Sequence, residues 1–381
     1  MKLDGAWINA PETQAVMAML TGADHQALFV GGCVRNAALA QPVSDIDIAT
    51  DAPPETVIQL ARSAGFKPVP TGLDHGTVTV IARHIPHEIT TFRRDVETDG
   101  RHAVVAYSTD IAEDAARRDF TMNALYARAD GTVIDPLGQG LNDLAARHVR
   151  FVGTPSARIT EDFLRILRFF RFTAWYGDPD HGPDASGLAA CAAHADGLEG
   201  LARERIGAEM LKLLGAPDPA PVLATMQQCG VLARILPGAD SRAMAPLVHF
   251  EAGLPANPLR RLACLTATPA TAMLRLSRAQ AKRLARIQTG VASLGPPAEI
   301  GYRLGQADAV DAVLIRAASL GMPPPQHWHA EVARGAAQKC PVTAQDLLPD
   351  YQGKDLGARL KVLEDRWIAS DFKLSRAALL R

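Results

Sequence analysis

Residues 28–50 read LFVGGCVRNAALAQPVSDIDIAT. An apolar run, Leu28 to Val30, meets the glycine pair Gly31 and Gly32, and Val34 and Arg35 follow. Asp45 and Asp47 lie one residue apart and alternate with Ile46 and Ile48. Such alternation is the period of a half-buried strand. It puts both carboxylates on one face and both isoleucines on the other. Carboxylates aimed the same way repel, and a hard cation between them removes the repulsion, Mg²⁺ with substrate phosphates being the usual case. The glycines leave room for a phosphate to approach backbone N–H groups. The stretch therefore predicts strand, glycine turn, short helix and strand, a phosphate cradle beside a metal-binding pair. Two solvated acids on a surface strand would show the same alternation, and the glycine pair upstream favours the metal.

Outward from this stretch, 381 residues exceed one ordinary core, so two to four modules are expected. A hydrophobic share of 48% is globular. The formal net charge is −1, so a nucleic acid partner must be held by a local basic patch rather than a global field. The five cysteines are scattered and never form CxxC, which speaks against a disulfide framework or a zinc site and predicts a reducing, cytoplasmic setting. The opening MKLDGAWINAPETQ carries no apolar signal region, and no apolar run approaches bilayer length, so no membrane partner is expected.

In chain order the pattern predicts helices over 11–20, 35–40 and 53–64, the last stopped by Gly65. Strands are expected at 67–70, 77–82 and 87–92, with Glu88 and Thr90 on one face. Residues 93–107 are charged without a clean period and read as a mobile loop. A helix over 113–128 and a strand over 132–135 follow. Strands and helices interleave to about residue 140, and beyond about 155 the chain reads as helix upon helix.

Three further constellations bear on chemistry. Glu88, on a later strand, is a candidate third carboxylate beside Asp45 and Asp47, and metal held there can activate a 3′-hydroxyl and clamp a triphosphate. In ARRDFTMNAL (116–125), a helix would put Asp119 and Asn123 one turn apart, with Phe120 and Ala124 packed inward. Arg117 and Arg118 at its start would oppose the helix dipole, which suggests an anion such as a nucleotide phosphate; the alternative is a solvated basic corner. In ITEDFLRILRFFRF (159–172), Thr160 fits an N-cap, and Asp162, Arg165 and Arg168 would share a helix face. That face is either a salt-bridged surface or a base reader. In the second case Asp162 accepts from an exocyclic amine and Arg165 donates to ring nitrogens and carbonyls. LARERIGAEMLKLL (201–214) reads as a structural amphipathic helix with Arg203, Arg205 and Glu209 exposed.

Taken in order, Gly31-Gly32-Cys33-Val34-Arg35, Asp45-Ile46-Asp47, Arg117-Arg118-Asp119-Phe120 with Asn123, Glu161-Asp162 with Arg165, and residues 203–209 resemble the successive motifs of the class II tRNA nucleotidyltransferase and bacterial poly(A) polymerase family. The carboxy-terminal part matches more loosely, through Leu356-Gly357 and residues 367–372. The resemblance implies an α+β chain: a nucleotidyltransferase head with a mixed β-sheet (1–142), then all-α neck (143–215), body (216–295) and tail (296–381). It implies that Asp45 and Asp47 hold Mg²⁺, that Gly31, Gly32 and Arg35 meet the triphosphate, and that Arg118, Asp119 and Asn123 meet ribose and phosphates. Asp162 and Arg165, with Arg168 behind them, would pair with the base of CTP or ATP. The family usually carries aspartate directly after the arginine of its first motif, where this chain has Asn36, an amide without charge.

Within the family the expected activity is addition of CCA to the 3′ end of tRNA. Asp74-His75-Gly76-Thr77 resembles the tRNA-enzyme form of that segment, and residues 93–107 are present at full length. No long basic carboxy-terminal extension is expected, and the pI is near 6.8. A poly(A) polymerase, an A-only adding enzyme and a non-catalytic RNA-binding descendant are the alternatives. Arg147, Arg150 and Arg158, and farther on Arg275, Arg278, Lys282, Arg283 and Arg286, are the candidate RNA-binding residues, and no protein partner is implied. His327-Trp328-His329 reads as a packing tryptophan with incidental histidines.

Overall fold

The structure, a computed structural model, describes the backbone of residues 1–99, 102–267 and 270–381, and the side chains of these apart from 95–99 and 102–105. The chain divides into two compact units, 1–237 and 238–381.

The first unit is built on β1 (Ala27–Val30), β2 (Ile46–Thr50), β3 (Lys67–Gly72), β4 (Thr77–Ala82) and β5 (Ile85–Thr91). After β6 (Arg93–Asp99) and β7 (His102–Tyr107) come the two-residue strands β8 (Tyr126–Ala127) and β9 (Val133–Ile134). Seven of these form one sheet in the order β3-β4-β5-β2-β1-β8-β9. β2 and β5 run parallel, with Asp47 opposite Glu88, and the other pairs are antiparallel, so the sheet is mixed as expected. Leu28, Val30, Ala49, Phe92 and Tyr126 form a buried cluster on it. The stretch expected as a mobile loop is instead a ribbon: β6 pairs with β7, Arg93 opposite Tyr107. A two-stranded ribbon outside the main sheet needs no apolar face, so it leaves no alternation to read. Residues 100 and 101 of that expected loop lie outside the described residues.

The helices begin with α1 (Ala6–Asn9), α2 (Pro11–Thr21), α3 (Gly32–Ala38) and α4 (Pro54–Ser63). Val16, Met17 and Leu20 of α2 and Val57 and Ala61 of α4 are buried. Then come α5 (Ile111–Ala116), α6 (Gly140–Ala145), α7 (Pro155–Glu161) and α8 (Leu164–Tyr176). α9 (Ala185–Ala193), α10 (Arg203–Leu214), α11 (Ala220–Gln228) and α12 (Val231–Ile235) complete the unit. Two expected helices are broken. The one over 113–128 ends at Ala116, because Phe120 bridges to Phe151 and Tyr126 pairs with β1, so a 3₁₀ turn (Thr121–Asn123) and β8 replace its second half. The one over 159–172 is interrupted at Asp162, whose φ of −155° is extended. Thr160 therefore lies inside α7, its hydroxyl donating to the Ser156 and Ala157 carbonyls, and does not cap a helix. Phe120, Phe151 and Phe172 gather around this break with Phe169; Phe120 lies 5.0 Å from Phe151 and 4.9 Å from Phe172, and Phe151 stacks on Phe169 at 5.3 Å. Such rings bury large apolar area and fix relative orientation.

The described part of the second unit is helical throughout: α13 (Met244–Phe250), α14 (Pro258–Leu265), α15 (Ala270–Met273), α16 (Arg278–Ala292), α17 (Pro297–Leu304), α18 (Gln306–Leu320), α19 (Trp328–Ala336), α20 (Gly353–Ala369) and α21 (Arg376–Leu379), with one 3₁₀ turn, Ala344–Leu347. α17 and α19 pack so closely that a Cβ on Gly335 would lie 1.8 Å from the Ala298 carbonyl oxygen. A buried ion network holds α14 to α18: Arg260 pairs with Glu251 (2.8 Å) and Asp311 (2.7 Å), and Arg261 with Glu251 (2.7 Å). Arg283, expected to face RNA, joins this network at Asp311 (2.9 Å), and it shares Asp308 with Arg286, another RNA candidate, at 3.0 and 3.2 Å. Arg275, Arg278 and Lys282 are exposed. Trp367 and Phe372 sit in a carboxy-terminal cluster with Leu347, Leu363 and Leu379. Trp328 is half-buried at the start of α19 between exposed histidines. Among the described residues no helix is long and apolar enough to cross a membrane.

Candidate active site

The site is assembled in the first unit where β1 ends. Gly31 has φ +69°, a left-handed conformation that favours glycine, and its N–H donates to the Leu125 carbonyl at 3.2 Å. A Cβ there would come within 3.5 Å of Arg118 Nη1, so the missing side chain leaves an open approach beside a cation. Ile46 and Ile48 of β2 are buried, while Asp45, just before the strand, is exposed and Asp47 half-buried, as the alternation predicts. Glu88 is exposed opposite Asp47. Burial first, and the Glu88 charge second, push the Asp47 carboxyl up to about 6. Asp45 and Asp47 line a polar cavity of about 240 Å³ together with Gly32, Arg35, Asn36 and Tyr176.

This donor set suits a hard divalent ion. Among the described residues no cation is in ion-pair contact with Asp45 or Asp47, and a bound cation would offset the burial and the Glu88 charge that raise Asp47. Among the described residues no group of three or more His, Cys, Asp or Glu is arranged to hold a metal. Two carboxylates, with water and substrate phosphates completing the shell, is the ordinary way Mg²⁺ is bound.

Behind this opening a second set of charges is compensated. Arg118 donates to Asp114 (2.8 Å) and to the Tyr126 hydroxyl (3.0 Å), and the Tyr126 hydroxyl donates to Asp114 (2.7 Å). Burial alone would raise the Asp114 carboxyl, but Arg118 and Arg117 hold it well below the usual carboxylate range. Arg117 caps the carboxy-terminal end of α5, where a cation suits the dipole, and pairs with Asp114 at 3.0 Å. The expected misplaced cation pair is therefore absent, because α5 ends at Ala116 and the two arginines follow its carboxy-terminal end. Asp119 and Asn123 do meet, though across a 3₁₀ turn: Asn123 donates to Asp119 at 2.9 Å. Asp119 also accepts from the Phe120 N–H (2.9 Å) and from Arg168 Nε (2.8 Å). Burial opposes its ionisation, and Arg168 with Asn123 nonetheless holds it low.

Asp162, Arg165 and Arg168 do not share one helix face. Asp162 precedes α8, accepting from the Leu164 N–H (3.1 Å) and from Arg205 (2.7 Å). Arg165 pairs with Glu161 and donates to the Arg158 carbonyl at 2.9 Å. Glu209, expected to be exposed, is only 5% exposed and accepts from Arg171 at 2.6 Å. Helical spacing within 201–214 could not reveal this, since its partner lies on another helix. Tyr176 and Asp114 likewise carry no local pattern that marks them in the sequence. Of the nearby candidates for RNA, Arg147 is exposed at φ +51°, whereas Arg150 pairs with Asp143 and Arg158 with Glu161, both at 2.9 Å.

Residues 27–150 match the family model described as the poly A polymerase head domain, and residues 184–242 the one described as a probable RNA and SrmB-binding site of polymerase A. The chain is 31% identical over 378 residues to the mitochondrial CCA tRNA nucleotidyltransferase 1 of Mus musculus, covering 94% of this chain and 86% of the relative. The Homo sapiens protein of the same name is 43% identical over 194 residues, covering 50% of this chain and 44% of its own length, so this match spans less than half of that relative. Among solved structures, the Bacillus stearothermophilus CCA-adding enzyme in complex with CTP is similar with a TM-score of 0.78 and 27% identity, over 94% of this chain and 93% of that one.

Proposed function

The chain belongs to the CCA tRNA nucleotidyltransferase family, and from that premise we propose that it adds CMP and AMP, without a template, from CTP and ATP to the 3′ end of tRNA. The observation that carries the reading is the carboxylate pair Asp45 and Asp47 lining one cavity with the glycine turn and Arg35. In the reaction the terminal ribose hydroxyl of tRNA bonds to the α-phosphorus of the nucleotide, the α–β phosphoanhydride bond breaks, and pyrophosphate leaves. Asp45 and Asp47 would hold a divalent ion, Mg²⁺ by the chemistry of the donors, with Glu88 the third carboxylate of that face. When bound, this ion lowers the pKa of the attacking hydroxyl and neutralises developing charge on the phosphates. Gly31 and Gly32 let the phosphates approach the backbone, and Arg35 and Arg118 bind them. Asn123 and Asp119 hold the sugar–phosphate side, kept in place by Arg168. Asp162 and Arg165 read the base with the hydrogen-bonding capacity left over from Arg205 and Glu161.

We keep the division into head (1–142), neck (143–215), body (216–295) and tail (296–381), with Arg147, Arg275, Arg278 and Lys282 as the phosphate contacts for tRNA and a cytoplasmic location. The test uses three tRNAs, ending before CCA, in C and in CC, each with CTP and ATP. Completion of all three to CCA is the expected result. Extension of the CC-ending substrate alone would mean an A-only enzyme. A ladder of added A would favour the poly(A) reading that the head-domain match keeps in view, and no extension would overturn transfer altogether.

A further inference from the structure

Arg35 is 7% exposed, and among the described residues every group that accepts from it is neutral. Asn36 Oδ1 accepts from Nε (3.1 Å) and Nη2 (2.8 Å), Asn123 Oδ1 from Nη1 (2.6 Å), and the Tyr176 hydroxyl from Nη2 (2.8 Å). The guanidinium also lies 4.1 Å from the Tyr176 ring centroid and 5.1 Å from that of Phe172. Among the described residues no carboxylate lies within ion-pair distance of it. Buried cations are ordinarily paired. Arg118, Arg168 and Arg171 next to it each have a carboxylate. Arg35 alone among these four is fixed on all its nitrogens without a carboxylate in ion-pair contact, and it lines the cavity of Asp45 and Asp47.

The two groups that fix it are unlike. An aspartate at position 36 could make the same contacts but would neutralise the cation, whereas the amide of Asn36 holds it and leaves the charge unspent. Tyr176 is the last residue of α8, the helix whose first turn follows Asp162. We propose that Tyr176 and Asn36 are positioning residues that hold Arg35 as an uncompensated cation for the triphosphate of the incoming nucleotide, with Tyr176 making this grip depend on α8. The proposal rests on the nucleotide-transfer reading above.

The test compares the wild type with Tyr176→Phe, which keeps the ring and loses the hydroxyl, and Tyr176→Leu, which loses both. Inorganic tripolyphosphate with Mg²⁺ is titrated calorimetrically, and KM and kcat are measured for CTP and ATP. A hydrogen bond to a charged group predicts about a tenfold weaker tripolyphosphate Kd in Tyr176→Phe, a larger loss in Tyr176→Leu, KM raised equally for both nucleotides, and an unchanged CTP-to-ATP preference. An unchanged Kd and KM accompanied by a lower melting temperature would make Tyr176 merely structural and overturn the proposal. A shifted CTP-to-ATP preference at constant Kd would overturn it too. Should Tyr176→Leu fail to fold, Tyr176→Phe, which removes one oxygen, decides alone. A wild type that extends no tRNA would remove the transfer reading, and the tripolyphosphate titration would still decide on Tyr176.

Discussion

Two sets of carboxylates in the first unit have opposite surroundings. Asp45, Asp47 and Glu88 share a face of the sheet, have no arginine in ion-pair contact among the described residues, and leave Asp47 pushed up by burial and by the Glu88 charge. Asp114, Asp119 and Glu209 are buried, and each is held by arginine. The difference is one of division of labour. Uncompensated acids at an opening are available to a ligand, and removing them costs the fold nothing. Compensated acids inside are committed to the fold, and removing one strands a buried cation. Identical residue types thus become site or scaffold according to whether an arginine reaches them.

The contrast is tested most severely at Asp45. Asp45→Ala should reduce nucleotide transfer to background while the melting temperature stays at or above that of the wild type; retained transfer would remove the metal assignment. Next in size, Glu209→Ala should destabilise the protein by about 3 kcal/mol, since Arg171 would be left half-buried without its partner. Chemical denaturation measures this, and an unaltered midpoint would dissolve the distinction between the two sets. A smaller effect is expected at Asp162, which is tied to Arg205 at the surface: Asp162→Ala should change the CTP-to-ATP insertion ratio by about tenfold with little loss of stability. Equal ratios in competition assays would take Asp162 out of base reading.

The smallest effect concerns pH. The folded-state pKa of Asp114 is depressed, so its ionised form contributes stability that is fully present above the ordinary carboxylate range near pH ~4 and is lost as pH falls toward the lowered value. The gap in melting temperature between the wild type and Asp114→Asn should therefore be widest at neutral pH and narrow by a few degrees on acidification. A gap independent of pH would show that the Asp114 charge is not what Arg118 and Arg117 secure.

Legibility in the sequence followed the range of the forces involved. The stretch from β1 to β2 was readable because its signals are local: an apolar run, two glycines, and alternation that the pleat enforces. The ribbon of β6 and β7 was not, since it has no buried face to impose a period. The segment around Asp119 imitated a helix because Phe120 and Ala124 are both buried four residues apart, but they are buried by separate partners across a 3₁₀ turn and a short strand. The burial of Glu209 is not legible from its own helix because the arginines that make it tolerable, Arg171 at 2.6 Å and Arg168 at 3.9 Å, lie on a different one. Tyr176 carries no motif at all, and its place beside Arg35 exists only once the chain has folded.

α8 has one consequence of a different kind. Its thirteen residues make a rod about 20 Å long, whose beginning adjoins Asp162 and whose last residue rests on Arg35. The groups proposed to recognise the base and to hold the phosphates are thus fastened to opposite ends of one heritable part. A substitution in its buried face, at Phe169 or Phe170, would disturb both ends together. Base choice and phosphate affinity are then correlated traits: a lineage could not easily retune the first without repairing the second.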